Sequence, residues 1–218
     1  MISNKVYTVI VILMTSMLFG CSNYHVWVDA YTGHERIEKG AKIYVPADGH
    51  VEMIEMEFVS MLKYMLQENG MVVTSHINDA DYYIRYSFGI GDPRQVQRPM
   101  LLWEGGDAVA ISDNRGNRIR VQEEPRLRST TQTQTMYNRF LILSVEVNDG
   151  LMPDRRVSKW YVETQSVGPG TDLRRVLPYL LYATFDEFGM STGFSKRKNV
   201  PVYDPNVSRI VRNHQNNR

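Results

Sequence analysis

The chain has 218 residues, 43% hydrophobic and 22% charged, a composition that suits one globular domain with a real core and excludes a low-complexity polymer. Its 25 basic and 24 acidic residues nearly cancel, so no global field draws it toward nucleic acid. A single cysteine, Cys21, excludes an intramolecular disulfide and a thiolate zinc cluster within one chain.

Met1 to Lys5 is a short start with one positive charge, and Val6 to Phe19 is uncharged and mostly apolar. A helix of about 14 residues rises roughly 21 Å, short of the ~30 Å hydrocarbon core, so the stretch reads as a cleavable signal segment over 1–20 rather than a permanent span. Leu18-Phe19-Gly20-Cys21 resembles the lipobox of bacterial lipoproteins, with Phe19 bulkier than the usual occupant. The resemblance implies that the Cys21 thiolate takes a diacylglycerol, with palmitate-type acyl chains as the membrane contact. Burial of two or three chains at ~0.8 kcal/mol per methylene holds a protein far more firmly than one. It also explains an unpaired thiol in a secreted chain, which is otherwise liable to oxidise. Ser22, where such lipoproteins carry Asp for inner-membrane retention, implies the periplasmic face of the outer membrane.

Residues 21–40 read as a lipidated lead-in containing a short strand at Tyr24-His25-Val26-Trp27-Val28. Lys42 to Val45 is the next strand, stopped by Pro46. From His50 to Asn69, Val51, Ile54, Phe58, Met61, Leu62, Met65 and Leu66 recur at three- and four-residue steps, which predicts a helix. Asp48 is its expected N-cap and Gly70 its stop. Met71 to Thr74 is a strand and Asn78-Asp79-Ala80 a turn. In Asp81 to Ile90, Tyr82, Ile84, Tyr86, Phe88 and Ile90 alternate with Tyr83, Arg85, Ser87 and Gly89, giving a strand with one core face.

Gly91 to Arg128, with Pro93, Pro99 and Pro125, reads as irregular apart from a hairpin of Val109-Ala110-Ile111 and Arg118 to Val121 around residues 113–117. Thr130 to Asn138 opens a long strand that runs on to Val147, and Ser158 to Val167 pairs back on it. Leu173, Val176, Leu177, Leu180, Leu181, Phe185 and Phe188 predict a second helix over Thr171 to Phe188. Thr171 or Asp172 is its cap, and Pro178 either kinks it or pushes its start to Leu177. From Ser191 the chain is polar, with six basic residues against Asp204, and 191–218 reads as a basic, flexible tail able to touch phosphate groups of lipid. The expected fold is α+β: an antiparallel or mixed twisted sheet with two amphipathic helices on one face, over 41–190.

Gln67-Glu68-Asn69-Gly70 closing a helix, Asp79-Ala80-Asp81-Tyr82-Tyr83-Ile84 opening a strand, and Lys159-Trp160-Tyr161 before a closing helix resemble uncharacterised Gram-negative envelope lipoproteins that carry a domain of unknown function. They resemble the amino-terminal domain of TolB more loosely. The resemblance implies a fold and an address over most of 41–190, and supplies no catalytic residue.

The histidines His25, His34, His50, His76 and His214 form no H-x-x-x-H pair, and no nucleophile elbow or P-loop is present. His76, Asp79 and Asp81 have metal-ligand chemistry but sit where a turn is expected, so no metal and no cofactor is assigned. Asp149, Asp154, Asp186 and Glu187 are the carboxylates available for glycan hydrolysis, but Asp186 and Glu187 are adjacent on a helix and point different ways. Tyr83 and Arg85 offer a binding surface for peptide or glycan through aromatic contact and a charge-assisted hydrogen bond. The expected function is a non-enzymatic binding or assembly component of the cell envelope, anchored by Cys21, with another envelope protein or peptidoglycan as partner. An envelope hydrolase and a purely structural subunit stand as alternatives. A buried carboxylate in a cleft favours the first, and a long uncovered sheet edge the second.

Overall fold

The computed structural model describes residues 23–33, 37–46, 52–104, 108–112, 118–122, 126–149 and 157–216. The signal segment with Cys21, His34, Asp48, His50, the 113–117 turn and Asp154 lie outside them. Alternation of apolar and polar residues sets the strands. They are β1 (Asn23–Thr32), β2 (Lys42–Tyr44), β3 (Val72–Thr74), β4 (Tyr82–Glu104), β5 (Ala108–Ser112), β6 (Arg118–Gln122), β7 (Arg126–Val147), β8 (Ser158–Gly168) and β9 (Lys196–Pro201). The helices are α1 (Met53–Glu68), α2 (Leu173–Phe185) and α3 (Pro205–Asn216).

Seven strands form one mixed sheet in the order β3-β2-β4-β7-β8-β1-β9, and β5 pairs with β6 separately. Contacts of β2 with β3 and β4 are parallel, and the other pairs of the large sheet are antiparallel. The fold class is therefore α+β, with three helices among the described residues where two were expected. Helices cover one sheet face. Val26, Val28 and Ala30 of β1, Trp160 and Val162 of β8, Leu141, Leu143 and Val145 of β7, and Ile84 of β4 are buried on it. Phe58, Leu62 and Leu66 of α1 and Leu177, Leu180 and Leu181 of α2 complete the core.

Helix α1 ends as its Gly70 predicts. Gly70 adopts φ 83°, its N–H donates to Gln67 O, and the Met71 N–H donates to Leu66 O at 3.0 Å, a Schellman closure. Its start lies later than expected, at Met53, with Glu52 before it and no side-chain cap. Asp172 caps α2 by accepting from Arg175 N at 3.2 Å, and Pro178 lies inside the helix, so its missing donor leaves the start unmoved.

The terminal stretches differ most from expectation. The lead-in is a full strand, β1, held between β8 and β9. The stretch expected to be a flexible tail is folded as far as Asn216: β9 pairs with β1, and Val207 and Ile210 of α3 are buried. The local signal was present. Asp204 Oδ1 accepts from Asn206 N at 2.8 Å, Pro205 fills the first helical position, and Val207, Ile210 and Val211 follow at helical spacing. Arg209 between them and Arg212 just after them masked the stripe. One, Arg209, pairs with Glu68 of α1 at 3.2 Å.

Candidate functional site

Cys21 lies outside the described residues, two positions before β1 begins. Tyr83 and Arg85 project from β4 on the sheet face that carries no helix among the described residues. Arg85 is engaged there by Glu146 of β7 at 3.2 Å, and the Tyr83 ring lies 6.0 Å from that of Tyr44. They form part of a polar sheet face knit across strands, with the Arg85 side chain about half exposed.

The other sequence candidates are absorbed by structure. His76, Asp79 and Asp81 fall around a 3-10 turn, Ile77–Asp79. Asp81 Oδ2 accepts from Lys42 N at 2.8 Å, and the Asn148 amide donates to Ile77 O and Ala80 O at 2.6 and 2.9 Å. Among the described residues no group of three His, Cys, Asp or Glu side chains is placed to hold a metal.

Asp186 and Glu187 do not diverge as expected. Because α2 ends at Phe185, both carboxylates reach Lys198 of β9, and Glu187 also meets Lys196 at 2.7 Å. Burial alone would raise the Glu187 pKa, but hydrogen bonds and charge from Lys196 and Lys198 outweigh it and hold the carboxyl below the usual range. A depressed folded pKa means the stabilisation is complete above the unfolded carboxylate value and is lost as pH falls through the folded one. Glu187→Gln is therefore expected to cost about 1–3 kcal/mol near neutral pH. Urea titrations of variant and parent should converge once the pH drops well below the carboxylate range. A gap that stays constant would assign the loss to packing.

The helix-free face also brings Asp29 of β1 opposite Glu163 of β8, a carboxylate pair the sequence did not reveal because its members are far apart in the chain. Each is partnered: the Tyr31 hydroxyl donates to Asp29 at 3.2 Å, and the Gln165 amide donates to Glu163. The Asp29 charge, then its hydrogen bond, raises the pKa of the exposed Tyr31 phenol. Burial, followed by Glu163 and Asp29, raises that of Tyr161. The pair lines a shallow cavity of about 250 Å³ with Trp27, Gln165 and Ser195.

Gly91 to Arg128 was expected to be largely irregular, but β4 runs on through residues 91–104 as one arm of an exposed two-stranded ribbon, whose other arm is the start of β7, the long strand expected from Thr130. Past a bulge between Ile90 and Pro93, β4 stays paired with β7 from Pro93↔Tyr137 to Glu104↔Arg126. The neighbours on either side stop early: β2 reaches only Tyr83, and β8 ends at the rung Tyr137↔Gly168. Residues 94–104 and 126–136 thus pair only with each other among the described strands, over roughly 35 Å at about 3.4 Å per residue. An isolated two-stranded ribbon is marginal in water. Its outer part exposes Leu101 by 66% and Leu127 by 51% on one face, with Met100 and Leu102 on the other.

The two ribbon edges are chemically unlike. On β4, Pro93 and Pro99 remove backbone donors and Arg94 and Arg98 add charge, features that blunt an edge against further strands. On β7, Ser129 to Thr135 reads Ser-Thr-Thr-Gln-Thr-Gln-Thr, with no proline, no charge and strand-favouring threonines. This is the ribbon edge suited to receive another strand.

No known family model matches the sequence, and no curated protein matches it. Among solved structures, the chain is similar to a PDZ domain protein from Parabacteroides distasonis, at 10% identity and a TM-score of 0.39. The match covers 78% of this chain and 36% of that one, so the chain spans about a third of that protein's length.

Proposed function

We propose that this chain is a non-enzymatic, lipid-anchored assembly component of a bacterial envelope. Acyl chains on Cys21 hold it to the outer membrane, and it joins a second copy of itself through the β7 edge at 129–135. The observation that carries this reading is the ribbon itself, an extended arm with one uncharged edge that no described strand covers. Unpaired backbone N–H and C=O groups on such an edge form a template for strand addition, with affinity from the main chain.

A second copy is the occupant that the edge chemistry favours. Two β7 edges meeting antiparallel, as a two-fold axis requires, place Thr, Ser and Gln opposite one another in any register centred within 131–133. The edge beyond β8 ends at Met136, so Arg126 and Arg128 either face Met136 or Gln134 of the other copy or lie past the paired stretch, and never face each other. Threonine cross-strand pairs are favourable, and like charges opposite one another are not. The exposed Leu127, next to the edge, adds apolar area to the same contact.

The anchor is tested by Cys21→Ala. The variant is expected to leave the membrane fraction and to lose the mass of the acyl chains, read by fractionation and mass spectrometry of the processed amino terminus. Unchanged fractionation, or an amino terminus bearing a bare thiol, would remove the lipid from the account.

A further inference from the structure

At the end of the sheet where β1 begins, Arg139 lies on the wrong face for an arginine. Strand alternation puts it beside Leu141, Leu143 and Val145, beneath the helices, and only 4% of it is exposed. No carboxylate among the described residues forms an ion pair with it, and no protein group hydrogen-bonds to its Nε. Its register partner on β8, Ser166, has a buried hydroxyl that is likewise unpartnered. Burial lowers the guanidinium pKa, countered only in part by Tyr24. Buried charges are ordinarily paired, and an unpaired one is among the costliest groups a core can hold.

Arg139 reaches into a cavity of about 400 Å³ bounded by β1, the Gly168-Pro169-Gly170 turn and the first turn of α2. Gly168 makes room for it: a Cβ at that position would stand 2.3 Å from Arg139 Nη2. Arg175 adds a second guanidinium to the wall, and the positive end of the α2 dipole faces the same space. Asp172 is the one acid among the lining residues, and its carboxylate is occupied in capping Arg175 N. Asn23 and Tyr24 also line the cavity.

We infer that this cavity binds a phosphate group, received between the Arg139 and Arg175 guanidiniums at the α2 amino terminus. A paired fork of arginine donors matches phosphate oxygens, and a helix start favours the same charge. The volume exceeds what a bare phosphate fills, leaving room for the glycerol or sugar of an ester. If Cys21 carries lipid, as proposed above, the cavity wall at Asn23 begins two residues from the anchor, within ~7 Å of extended chain. The headgroup layer then lies within its reach, and a lipid phosphate and a soluble phosphate ester share the same chemistry.

Binding of inorganic phosphate to the otherwise complete Cys21→Ala chain tests this without dependence on the anchor. Saturable binding is expected, with affinity at least ~10-fold lower in Arg139→Leu. That variant should melt at the same or a higher temperature, because an unpaired buried cation gives way to an apolar side chain. Arg139→Lys, which keeps the charge but not the fork, should fold and bind more weakly, and it decides the matter if the leucine variant does not fold. Absence of saturable binding, or equal binding by the lysine and parent proteins, would overturn the assignment. Vesicles of phosphatidylcholine with and without phosphatidylglycerol separate the sources. Capture by the latter, competed by phosphate, identifies a lipid headgroup; phosphate binding with no vesicle capture identifies a soluble ester.

Discussion

Thr131→Lys combined with Thr133→Lys is expected to leave the domain folded and to weaken self-association at least ~10-fold. Both threonines are exposed and pair within the ribbon with Pro99 and Gln97, so neither new lysine meets a cation across β4. In the proposed two-fold pairing centred at Gln132, position 131 of each copy faces position 133 of the other, so the variant sets two lysine pairs against each other. Lysine is also the residue with which natural sheets blunt a free edge. Sedimentation over a range of concentrations reads the effect, with the melting temperature as a control for folding. Association unchanged by the double variant would place the contact elsewhere on the molecule.

Trp160→Ala is expected to cost about 3–5 kcal/mol, a large part of the ~5–15 kcal/mol that holds an ordinary domain folded. Trp160 is 1% exposed on β8, its indole N–H donates to Met190 O at 3.1 Å, and Phe188 meets it edge-on at 4.9 Å between centroids. Removing the ring empties the space beneath the end of α2 and leaves the Met190 carbonyl without its donor. Trp160→Phe should lose less, since most of the apolar volume stays while the hydrogen bond goes. Urea unfolding measures both. A cost below about 1 kcal/mol for the alanine variant would show that the neighbouring chain collapses into the gap.

Elements that announce themselves locally were legible in the sequence. The α1 stripe and Gly70, the alternation of Tyr82 to Phe88, and the run from Thr130 into Val147 each carry their own period and stop signal. The second half of β4 was not, because Pro93 and Pro99 read as breakers. At the edge of a ribbon their missing donors cost no ladder beyond the pair, and the strand continues to Glu104. The last folded segment was hidden by composition: Lys196, Lys198 and Arg209 look solvated, yet they meet Glu187, Asp186 and Glu68 on other elements. Neither helical nor strand periodicity links these partners, so sequence pattern leaves no trace of the pairing.

The phosphate cavity shows the same limit with one difference. Arg139 shares its strand face with Leu141, Leu143 and Val145, and alternation alone could have marked it as a cation aimed into the core. The absence of a partner, the room made by Gly168 and the proximity of Arg175 are properties of the assembled chain. Tyr83 and Arg85 lie on the face of β4 away from the core, as strand alternation predicts. Glu146 pairs with Arg85 there, and the Tyr44 ring lies beside that of Tyr83.

Amide hydrogen exchange across residues 129–135, followed as protein concentration rises, tests the assembly claim most directly. Alternate amides on the outer edge of β7 should exchange freely in dilute solution and become protected as copies pair, while those facing β4 change little. Fast exchange of those outer amides at every concentration, in a preparation that nevertheless associates, would contradict pairing through this edge.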